Sequence, residues 1–357
     1  MLRRTLGDLR VSAIGLGAMP LSIEGRPDEA RALATVHAAL DAGVTLLDTA
    51  DSYHLPGADP GHNERLLARA LAAYGTVPDD VLVTTKGGRG RPGGATDWTV
   101  DGDPRHLKSA AEASLRRLGV EAIGLYQLHK PDPRVPFEES VGALRDLLDA
   151  GTIRLAGISN TNTDQIRRAR AILGDRLVSV QNRYSPAVAD SEPELRLATE
   201  LGLAFLPWSP LGGISRSSLE RPSEARGASE ARGASEASDA SKAGEASEAG
   251  GAGEASEAGG ASEAGGARGA SEAGGGRRFG TFHEIARERG VSPQQICLAW
   301  LLSRSPTVIP IPGASRPETI RDSAGAADLV LSEEESGRLE ASVERGRAQV
   351  EGRSLQP

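Results

Sequence analysis

The stretch LLDTADSYH, residues 46–54, joins an apolar pair directly to several titratable side chains. Two leucines typical of a buried strand are followed at once by Asp48, Asp51, Tyr53 and His54. Asp, Ser and Thr are common in turns and helix caps, so one interpretation is ordinary loop chemistry. The other is that this strand end forms one wall of an active site. The pattern of the rest of the chain bears on this choice.

Runs typical of strands alternate with runs typical of helices on both sides of this stretch. The predicted strands are 13–19, 45–50, 81–86, 123–129, 153–159, 177–182, 203–208 and 307–312. The predicted helices are 28–43, 62–75, 104–119, 137–151, 163–174, 191–202, 293–305 and 317–327. The strands are apolar along their length and become polar only at the C-terminal end, as parallel strands covered on both faces do. Eight such pairs predict a closed (β/α)8 TIM barrel, with an open doubly wound sheet as the alternative.

Two further elements are predicted outside the eight pairs. Residues 3–12 place Gly7 and Asp8 between two β-like pieces, which predicts an N-terminal β-hairpin that plugs the bottom of the barrel. Residues 331–347 predict an extra C-terminal helix with Ser332 as its N-cap.

Residues 223–276 differ in composition from the rest of the chain. Apart from Asp239 and Lys242, this segment contains only Ser, Glu, Ala, Gly and Arg. It has no aliphatic side chain larger than Ala, so it cannot bury enough apolar surface to offset the entropy of ordering, and we predict that it is disordered. The single barrel is therefore predicted to comprise residues 1–222 and 277–350, interrupted by this low-complexity insertion.

Charge and cysteine content narrow the class of protein. The 357-residue chain has a net charge of −8, and the insertion holds most of it through nine Glu and one Asp against three Arg and one Lys. The remainder has no basic footprint, so no nucleic-acid partner is predicted. No stretch has the ~18 apolar residues of a membrane span and no signal peptide is recognisable, so we expect a cytoplasmic protein without membrane attachment. The single cysteine, Cys297, excludes an intramolecular disulfide, and no cluster has metal-site spacing.

Titratable residues stand at three successive predicted strand ends. Asp48 ends the second strand and leads to Tyr53, Lys86 ends the third, and His129 ends the fourth. Because neighbouring barrel strands lie about 4.8 Å apart, these four side chains are expected to share one rim at the C-terminal mouth. Each has an ordinary alternative as a cap, a solvated head, a packing residue or a structural histidine. Their joint occurrence favours a catalytic site.

Several motifs resemble those of the aldo-keto reductase family, and they occur in the family's order. They are LLDTADSY (46–53), VLVTTKGG (81–88), IGLYQLHKPDP (123–133), IRLAGISN (153–160), VQNRYS (180–185), WSPLGG (208–213) and IPGASRPETI (311–320). The resemblance covers residues 10–345 except for the insertion, and LYQLHKPDP is similar to the bacterial branch. It implies reduction of a small-molecule aldehyde or ketone with NADPH.

The resemblance also implies roles for the four clustered residues. Tyr53 would be the general acid, and we expect Lys86 to lower its pKa from the usual value near 10. Asp48 would keep Lys86 charged and oriented. His129 would donate a hydrogen bond to the substrate carbonyl oxygen.

A cofactor site follows from the same resemblance. The residues implied to bind NADPH are Gly17, Met19, Ser159, Asn160, Gln181, Trp208, Ser209, Leu211, Gly212, Gly313, Ser315, Arg316, Asp322 and Ser323. Among them, Ser159, Asn160 and Gln181 would hold the carboxamide and Trp208 would stack on the nicotinamide. Ser209, Leu211 and Gly212 would line the pyrophosphate. Gly313, Ser315 and Arg316 would meet the 2′-phosphate, and Asp322 and Ser323 would lie near the adenine. The segment offers only Arg316 and Arg321 as cations, so NADH stays possible as the cofactor. A Rossmann site is rejected because GLGAMP, residues 15–20, lacks the third glycine of that fingerprint.

Substrate identity and the strength of turnover are open at this level. Trp98, in a loop expected to overhang the mouth, is predicted to contact substrate, with packing inside its own loop as the alternative. Within enzymes, a pyridoxal reductase is the rival interpretation suggested by the bacterial motif. Outside enzymes, the rival is a regulatory subunit that binds NADPH tightly and turns over little, although the presence of all four catalytic residue types argues against it.

Overall fold

The structure is a computed structural model that describes residues 1–92, 98–212, 214 and 279–354. The predicted disordered insertion, 223–276, lies outside the described residues. The strands are β1 (Arg3–Leu6), β2 (Leu9–Ser12), β3 (Leu16–Gly17), β4 (Leu46–Asp48), β5 (Leu82–Gly87), β6 (Arg89–Gly90), β7 (Thr99–Val100), β8 (Ile123–Leu128), β9 (Ile153–Ser159), β10 (Leu177–Gln181) and β11 (Ala204–Phe205).

Helices follow the barrel strands along the chain. They are α1 (Glu29–Asp41), α2 (His62–Tyr74), α3 (Pro104–Leu118), α4 (Phe137–Asp149), α5 (Thr163–Leu173), α6 (Glu192–Glu200), α7 (Gly280–Arg289), α8 (Pro293–Arg304), α9 (Pro317–Gly325) and α10 (Glu333–Ser354). Side-chain caps define several of their starts: the Asp28 carboxylate accepts from the backbone N–H of Arg31 before α1, and Asn162 forms a capping box with Gln165 at α5.

The central sheet is parallel and curls into a barrel. Its strand order is β3-β4-β5-β8-β9-β10-β11, so each strand pairs with the next barrel strand along the chain. The segment 307–313 closes the circle through parallel bridges from Val308 to Phe205 and from Gly313 to Gly17. The predicted (β/α)8 barrel is confirmed, and the alternative open sheet is not what forms.

The eighth barrel strand lacks a regular ladder for a reason visible in the sequence. The backbone N–H groups of Gly15 and Gly17 donate to the carbonyls of Pro310 and Pro312 at 2.9 and 3.0 Å. Proline has no N–H to donate in return, so hydrogen bonding toward β3 runs in one direction only. Ile309 still donates to the Phe205 carbonyl at 2.8 Å on the other side. The strand therefore closes the barrel through isolated bridges.

The predicted hairpin and extra helix are both present. β1 and β2 pair antiparallel around Gly7, and the buried Leu6 and Val11 pack in the cluster that fills the barrel bottom with side chains such as Leu125 and Ile309. At the other end of the chain, Ser332 caps α10: its hydroxyl accepts from the Glu335 backbone N–H at 3.1 Å, and the Glu335 carboxylate accepts from the Ser332 backbone N–H at 2.7 Å.

One helix and two short strands of the structure were not predicted from the sequence. Helix α7 lies before α8, in residues 280–289, which are rich in charged side chains and begin and end next to glycine. Strands β6 and β7 form a small antiparallel ribbon in the loop after β5, which brings Trp98 to the barrel mouth beside Tyr53. This ribbon matters for the site, because it fixes one side of the mouth.

Candidate active site

The four residues predicted to cluster are brought together at the C-terminal mouth. Asp48 ends β4, Lys86 is the penultimate residue of β5, and His129 follows β8 directly. Tyr53 lies in the turn after β4. All four are at least 93% buried, with Lys86 fully enclosed. Burial of this many titratable groups requires mutual pairing.

Lys86 is the hub of the cluster. Its ammonium Nζ donates to Asp48 Oδ2 at 2.7 Å, to the Thr49 carbonyl at 2.8 Å and to Tyr53 Oη at 3.1 Å. These three acceptors match the three protons of an ammonium group, so the buried charge is completely solvated by protein. The Tyr53 hydroxyl is thereby held beside a permanent cation.

Asp48 is oriented by two residues that the sequence did not single out for this role. Its Oδ1 accepts from the Thr84 hydroxyl at 2.8 Å and from Gln181 Nε2 at 2.9 Å. Thr84 lies two residues before Lys86 on β5, so the period of two along a strand places both on the same face. That spacing is the sequence signal for Thr84. One N–H of Gln181 is engaged by Asp48, and the predicted contact of Gln181 with a carboxamide stays a prediction.

Aromatic and imidazole rings surround the Tyr53 phenol. The rings of His129 and Tyr53 meet edge to face with centroids 5.7 Å apart, and Trp98 meets Tyr53 in the same way at 6.4 Å. Ser52 Oγ lies 3.4 Å from His129 Nδ1. The mouth therefore has one aromatic wall and one imidazole wall on either side of the phenol.

The expectation that Lys86 lowers the pKa of Tyr53 is wrong in its net direction. Burial raises the pKa of Tyr53 above its usual value, and Asp48 adds to this. Lys86 does act in the expected sense, but its charge does not outweigh the loss of hydration around a fully enclosed phenol. Tyr53 is therefore protonated at neutral pH, which is the state a proton donor needs.

The pKa values of Lys86 and His129 are shifted in opposite directions. Burial alone would lower the pKa of Lys86, but the charge of Asp48 and the hydrogen bonds to Asp48 and Tyr53 leave that pKa raised. Burial lowers the pKa of His129 well below its usual value, and the charge of Lys86 lowers it further. At neutral pH the site thus contains an ammonium and an uncharged imidazole.

A second group of predicted residues lies at the ends of β9 and β10 and in the segment after β11. Asn160 Nδ2 donates to the His129 carbonyl at 2.9 Å and to Ser159 Oγ at 3.0 Å, and its Oδ1 accepts from the Trp208 indole N–H at 3.2 Å. Asn160 and Ser209 both have positive φ, 57° and 50°. Left-handed backbone in residues other than glycine is uncommon, and it concentrates at functional sites.

Glycines line the rim on both sides of the barrel closure. A Cβ on Gly17 would lie 2.7 Å from the Ile311 carbonyl oxygen, and one on Gly313 would lie 2.8 Å from Pro20. A Cβ on Gly212 would lie 2.5 Å from Ser185 Oγ, a buried hydroxyl without a hydrogen-bond partner in the part of the chain described. These positions admit close approach of backbone and of a ligand.

Some of the remaining predicted cofactor residues are exposed or half-buried, and others are buried or hydrogen-bonded to a neighbouring helix. Met19 is exposed, Leu211 and Ser315 are half-buried, and Arg316 stands at the N-cap of α9. Asp322 faces the start of α8, because its two carboxylate oxygens accept from Ser292 Oγ at 2.7 Å and Gln295 Nε2 at 2.8 Å. Ser323 is a buried residue of α9 itself. The expected place of Asp322 and Ser323 near the adenine stays a prediction.

Trp98 is held by two arginines. The guanidinium groups of Arg89 and Arg91 lie over its ring, 4.7 and 4.6 Å from the centroid. Arg91 also pairs with Glu24 and donates to the His54 carbonyl at 2.7 Å. Trp98 thus contacts both its own loop and Tyr53. Its predicted contact with substrate stays a prediction.

Metal-ligand clusters and membrane-spanning helices are both absent from the described residues. No group of three or more His, Cys, Asp or Glu side chains in 1–92, 98–212 or 279–354 is arranged to hold a metal ion. Within the same ranges, no helix has both the length and the apolar character needed to cross a membrane.

Comparison with known proteins identifies the family. The sequence matches the Aldo/keto reductase family over residues 13–344. The chain therefore belongs to the aldo/keto reductase family, and it is an NAD(P)H-dependent oxidoreductase.

Individual relatives span nearly the whole chain. An uncharacterized oxidoreductase of Schizosaccharomyces pombe is 29% identical over 339 residues, which are 94% of this chain and 88% of that protein. The structure of a glycerol dehydrogenase from Gluconobacter oxydans superposes with a TM-score of 0.71 at 25% identity, covering 96% of this chain and 95% of that one. An aldo-keto reductase from Klebsiella pneumoniae in complex with NADPH superposes with a TM-score of 0.65 at 25% identity and the same coverages.

Proposed function

We propose that this protein reduces an aldehyde or ketone to the alcohol with NADPH, and that Tyr53 is the general acid. The observation that carries this proposal is the contact of Lys86 Nζ with both Asp48 and the Tyr53 hydroxyl, beside the uncharged His129 ring. The cluster contains one proton donor, one fixed cation and one neutral hydrogen-bond donor at a shared rim.

The residues at the rim fit a nicotinamide cofactor. Ser159 and Asn160 offer hydroxyl and amide groups suited to a carboxamide, and the Trp208 indole, anchored to Asn160, offers a flat face for the ring. The orphaned Ser185 hydroxyl beside Gly212 is available to a polar ligand group in the loop predicted to meet the pyrophosphate. When bound there, the cofactor supplies the hydride.

Tyr53 moves the proton. In the proposed mechanism its hydroxyl donates to the carbonyl oxygen as negative charge develops on that oxygen, and a phenolate is left behind. Lys86, 3.1 Å away, stabilises this phenolate, because its ammonium charge favours the ionised form. Asp48 keeps Lys86 in place through the 2.7 Å ion pair. The positive charge of Lys86 therefore stabilises Tyr53 most after Tyr53 has given up its proton and become a phenolate.

His129 positions the carbonyl. With Nδ1 accepting from the Ser52 hydroxyl, the proton of the neutral ring lies on Nε2 and can be donated to a carbonyl oxygen between His129 and Tyr53. A neutral imidazole is suited to orienting the substrate, whereas its low pKa leaves proton transfer to Tyr53. Trp98 would close the substrate side of this space.

NADPH rather than NADH is proposed because of Arg316. This residue stands at the N-cap of α9, where the positive end of the helix dipole favours an anion. A guanidinium at a helix N-terminus suits the additional 2′-phosphate that distinguishes the two cofactors. The NADPH complex of the Klebsiella pneumoniae relative supports the same assignment.

The direct test is NADPH oxidation, followed by absorbance, over a panel of aldehydes and ketones with each nucleotide in turn. The panel should include aromatic aldehydes, short aliphatic ketones and pyridoxal. Carbonyl-dependent oxidation of NADPH is expected, faster than that of NADH at equal concentration. Tight NADPH binding without turnover of any carbonyl would contradict the proposal and favour a regulatory subunit.

A further inference from the structure

Asp51 is a buried carboxyl that the proposed mechanism leaves unused. It lies two residues before Tyr53 and is 7% exposed. Its backbone N–H donates to the carbonyl of Lys86 at 3.2 Å, and its carbonyl accepts from the Gly61 N–H at 2.6 Å. The main chain of Asp51 therefore joins the turn that carries Tyr53 to the strand that carries Lys86.

The side chain of Asp51 faces a charged layer behind the catalytic residues. Glu64, fully buried on α2, accepts from the Thr85 hydroxyl at 2.6 Å and from Arg117 Nε at 2.5 Å. A Cβ on Gly61 would lie 1.9 Å from Arg117 Nε, so only glycine at that position leaves room for this arginine. Arg117 consequently closes the layer from the outside.

This layer contains two carboxyl groups and one guanidinium. Arg117 is bonded to Glu64, whereas Asp51 Oδ1 is buried with no hydrogen-bond partner within the described ranges. An ionised Asp51 would thus place a second negative charge beside Glu64 without full compensation.

The charges around Asp51 act in opposite directions. Burial raises the pKa of Asp51 to about 8, and the charge of Glu64 raises it as well. Arg117 on α3, the Ser52 backbone N–H and Lys86 on β5 lower it by smaller amounts. From β8, the Tyr126 phenol also faces this layer, since the charges of Asp51 and Glu64 raise its pKa. Asp51 is therefore mostly protonated at neutral pH.

We propose that Asp51, in its protonated form, is a positioning residue for Tyr53, and that loss of its proton sets the alkaline limit of carbonyl reduction. This inference rests on the function proposed above. A charge on the unpartnered oxygen would draw the turn 51–54 toward water or toward Arg117. Tyr53 Oη depends on that turn for its 3.1 Å contact with Lys86, so displacement of the turn would separate the proton donor from the cation.

The proposal makes a prediction about the pH profile. For the parent protein with saturating NADPH, kcat is expected to fall above pH 8, by about tenfold per pH unit as in a single titration. Asp51→Asn, which is uncharged at every pH, should keep its kcat to higher pH, where Tyr53 itself titrates. Glu64→Gln removes a charge that raises the Asp51 pKa and frees Arg117 to pair with Asp51, so its alkaline limb should move to lower pH.

Asp132→Asn is the matched control. Asp132 is also buried, but it is bonded to Arg134 at 2.8 Å in the loop after β8, and this hydrogen bond lowers its pKa. Its neutral variant should leave the alkaline limb where it is in the parent. KM for the carbonyl and the Kd for NADPH are measured with each variant, because a purely structural loss would change these together with kcat at all pH values.

Two results would overturn the proposal. One is an alkaline limb of Asp51→Asn that coincides with that of the parent, and the other is a limb of Glu64→Gln that moves to higher pH. If Asp51→Asn does not fold, the shift in Glu64→Gln still decides.

The pH dependence of protein stability, measured without substrate, tests the inference about Asp51 separately from the proposed function. An acid whose pKa is raised on folding binds its proton more tightly in the folded state, so its stabilising effect is lost as pH rises through the folded-state pKa. The stability of the parent relative to Asp51→Asn should therefore fall from pH 3.8 to about 8. A protein that shows this fall but reduces no carbonyl would disprove the function alone, and a flat difference would disprove the protonated Asp51.

Discussion

Replacing Tyr53 by Phe removes one oxygen atom from the centre of the site. A positioned general acid contributes about 10²–10⁴ in rate. This corresponds to about 2.7–5.4 kcal/mol of transition-state stabilisation. We expect kcat of Tyr53→Phe to fall by that factor, because neither neighbouring group is suited to replace the lost proton donor. His129 is uncharged, and the Ser52 hydroxyl is directed at the His129 ring.

The same change should have a much smaller effect on folding. The Tyr53 hydroxyl accepts one charge-assisted hydrogen bond, from Lys86, and Lys86 keeps Asp48 and the Thr49 carbonyl as acceptors. Loss of such a bond costs about 1.5–3 kcal/mol, against a total stability of about 5–15 kcal/mol for folded domains. The variant should therefore remain folded at 25 °C, and unfolding cannot account for its loss of rate.

The assay combines kcat and KM for an aldehyde, NADPH affinity by fluorescence quenching, and thermal unfolding. Tyr184→Phe is the matched control, since Tyr184 is a buried phenol bonded to Glu192 and stacked on Trp300, outside the catalytic cluster. It should lose stability without losing kcat. Retention by Tyr53→Phe of more than about a tenth of the parental kcat would remove Tyr53 from the mechanism.

Three further perturbations test the remaining parts of the site and the chain. Lys86→Met should lower kcat at least as much as Tyr53→Phe and lower the free energy of unfolding by about 3–5 kcal/mol, since Asp48 is left as an uncompensated buried charge; unchanged melting would contradict the ion-pair argument. Arg316→Gln should weaken NADPH about tenfold or more while leaving NADH nearly unchanged, and equal weakening of both nucleotides would argue against a 2′-phosphate contact. Deleting 223–276 should preserve folding and NADPH affinity, because the segment has no large apolar side chains to bury; a large drop in melting temperature would show that it packs on the barrel.

Much of the site could be predicted because strand ends are recognisable in a sequence. The apolar runs before Asp48, Lys86 and His129 end at each of these residues, and parallel strands present their C-terminal ends at one edge. Thr84 was within reach of the same argument, since it shares the face of Lys86. The prediction of a lowered Tyr53 pKa failed because it depended on how deeply the phenol is buried. Burial raises that pKa, and the sequence motifs do not reveal the burial of a side chain.

Other features required contacts between distant parts of the chain. Gln181 reaches Asp48 across 133 positions, and Arg117 reaches Glu64 across 53. Asp322, in a segment that resembles a cofactor motif, accepts hydrogen bonds from Ser292 and Gln295 at the start of α8. Local patterns carry no information about such pairings.

The amino-acid sequence by itself determined the periodicity, the caps and the chemical types available at each strand end, because these depend on neighbours a few residues away. It therefore determined the barrel, the hairpin and the chemical types of the groups that meet at the mouth. The tertiary structure alone decided the distances between those groups and the amount of water around them. Coulomb interactions and hydration change steeply over a few ångströms, so the protonation of Tyr53, His129 and Asp51 depends on how the closed barrel packs them.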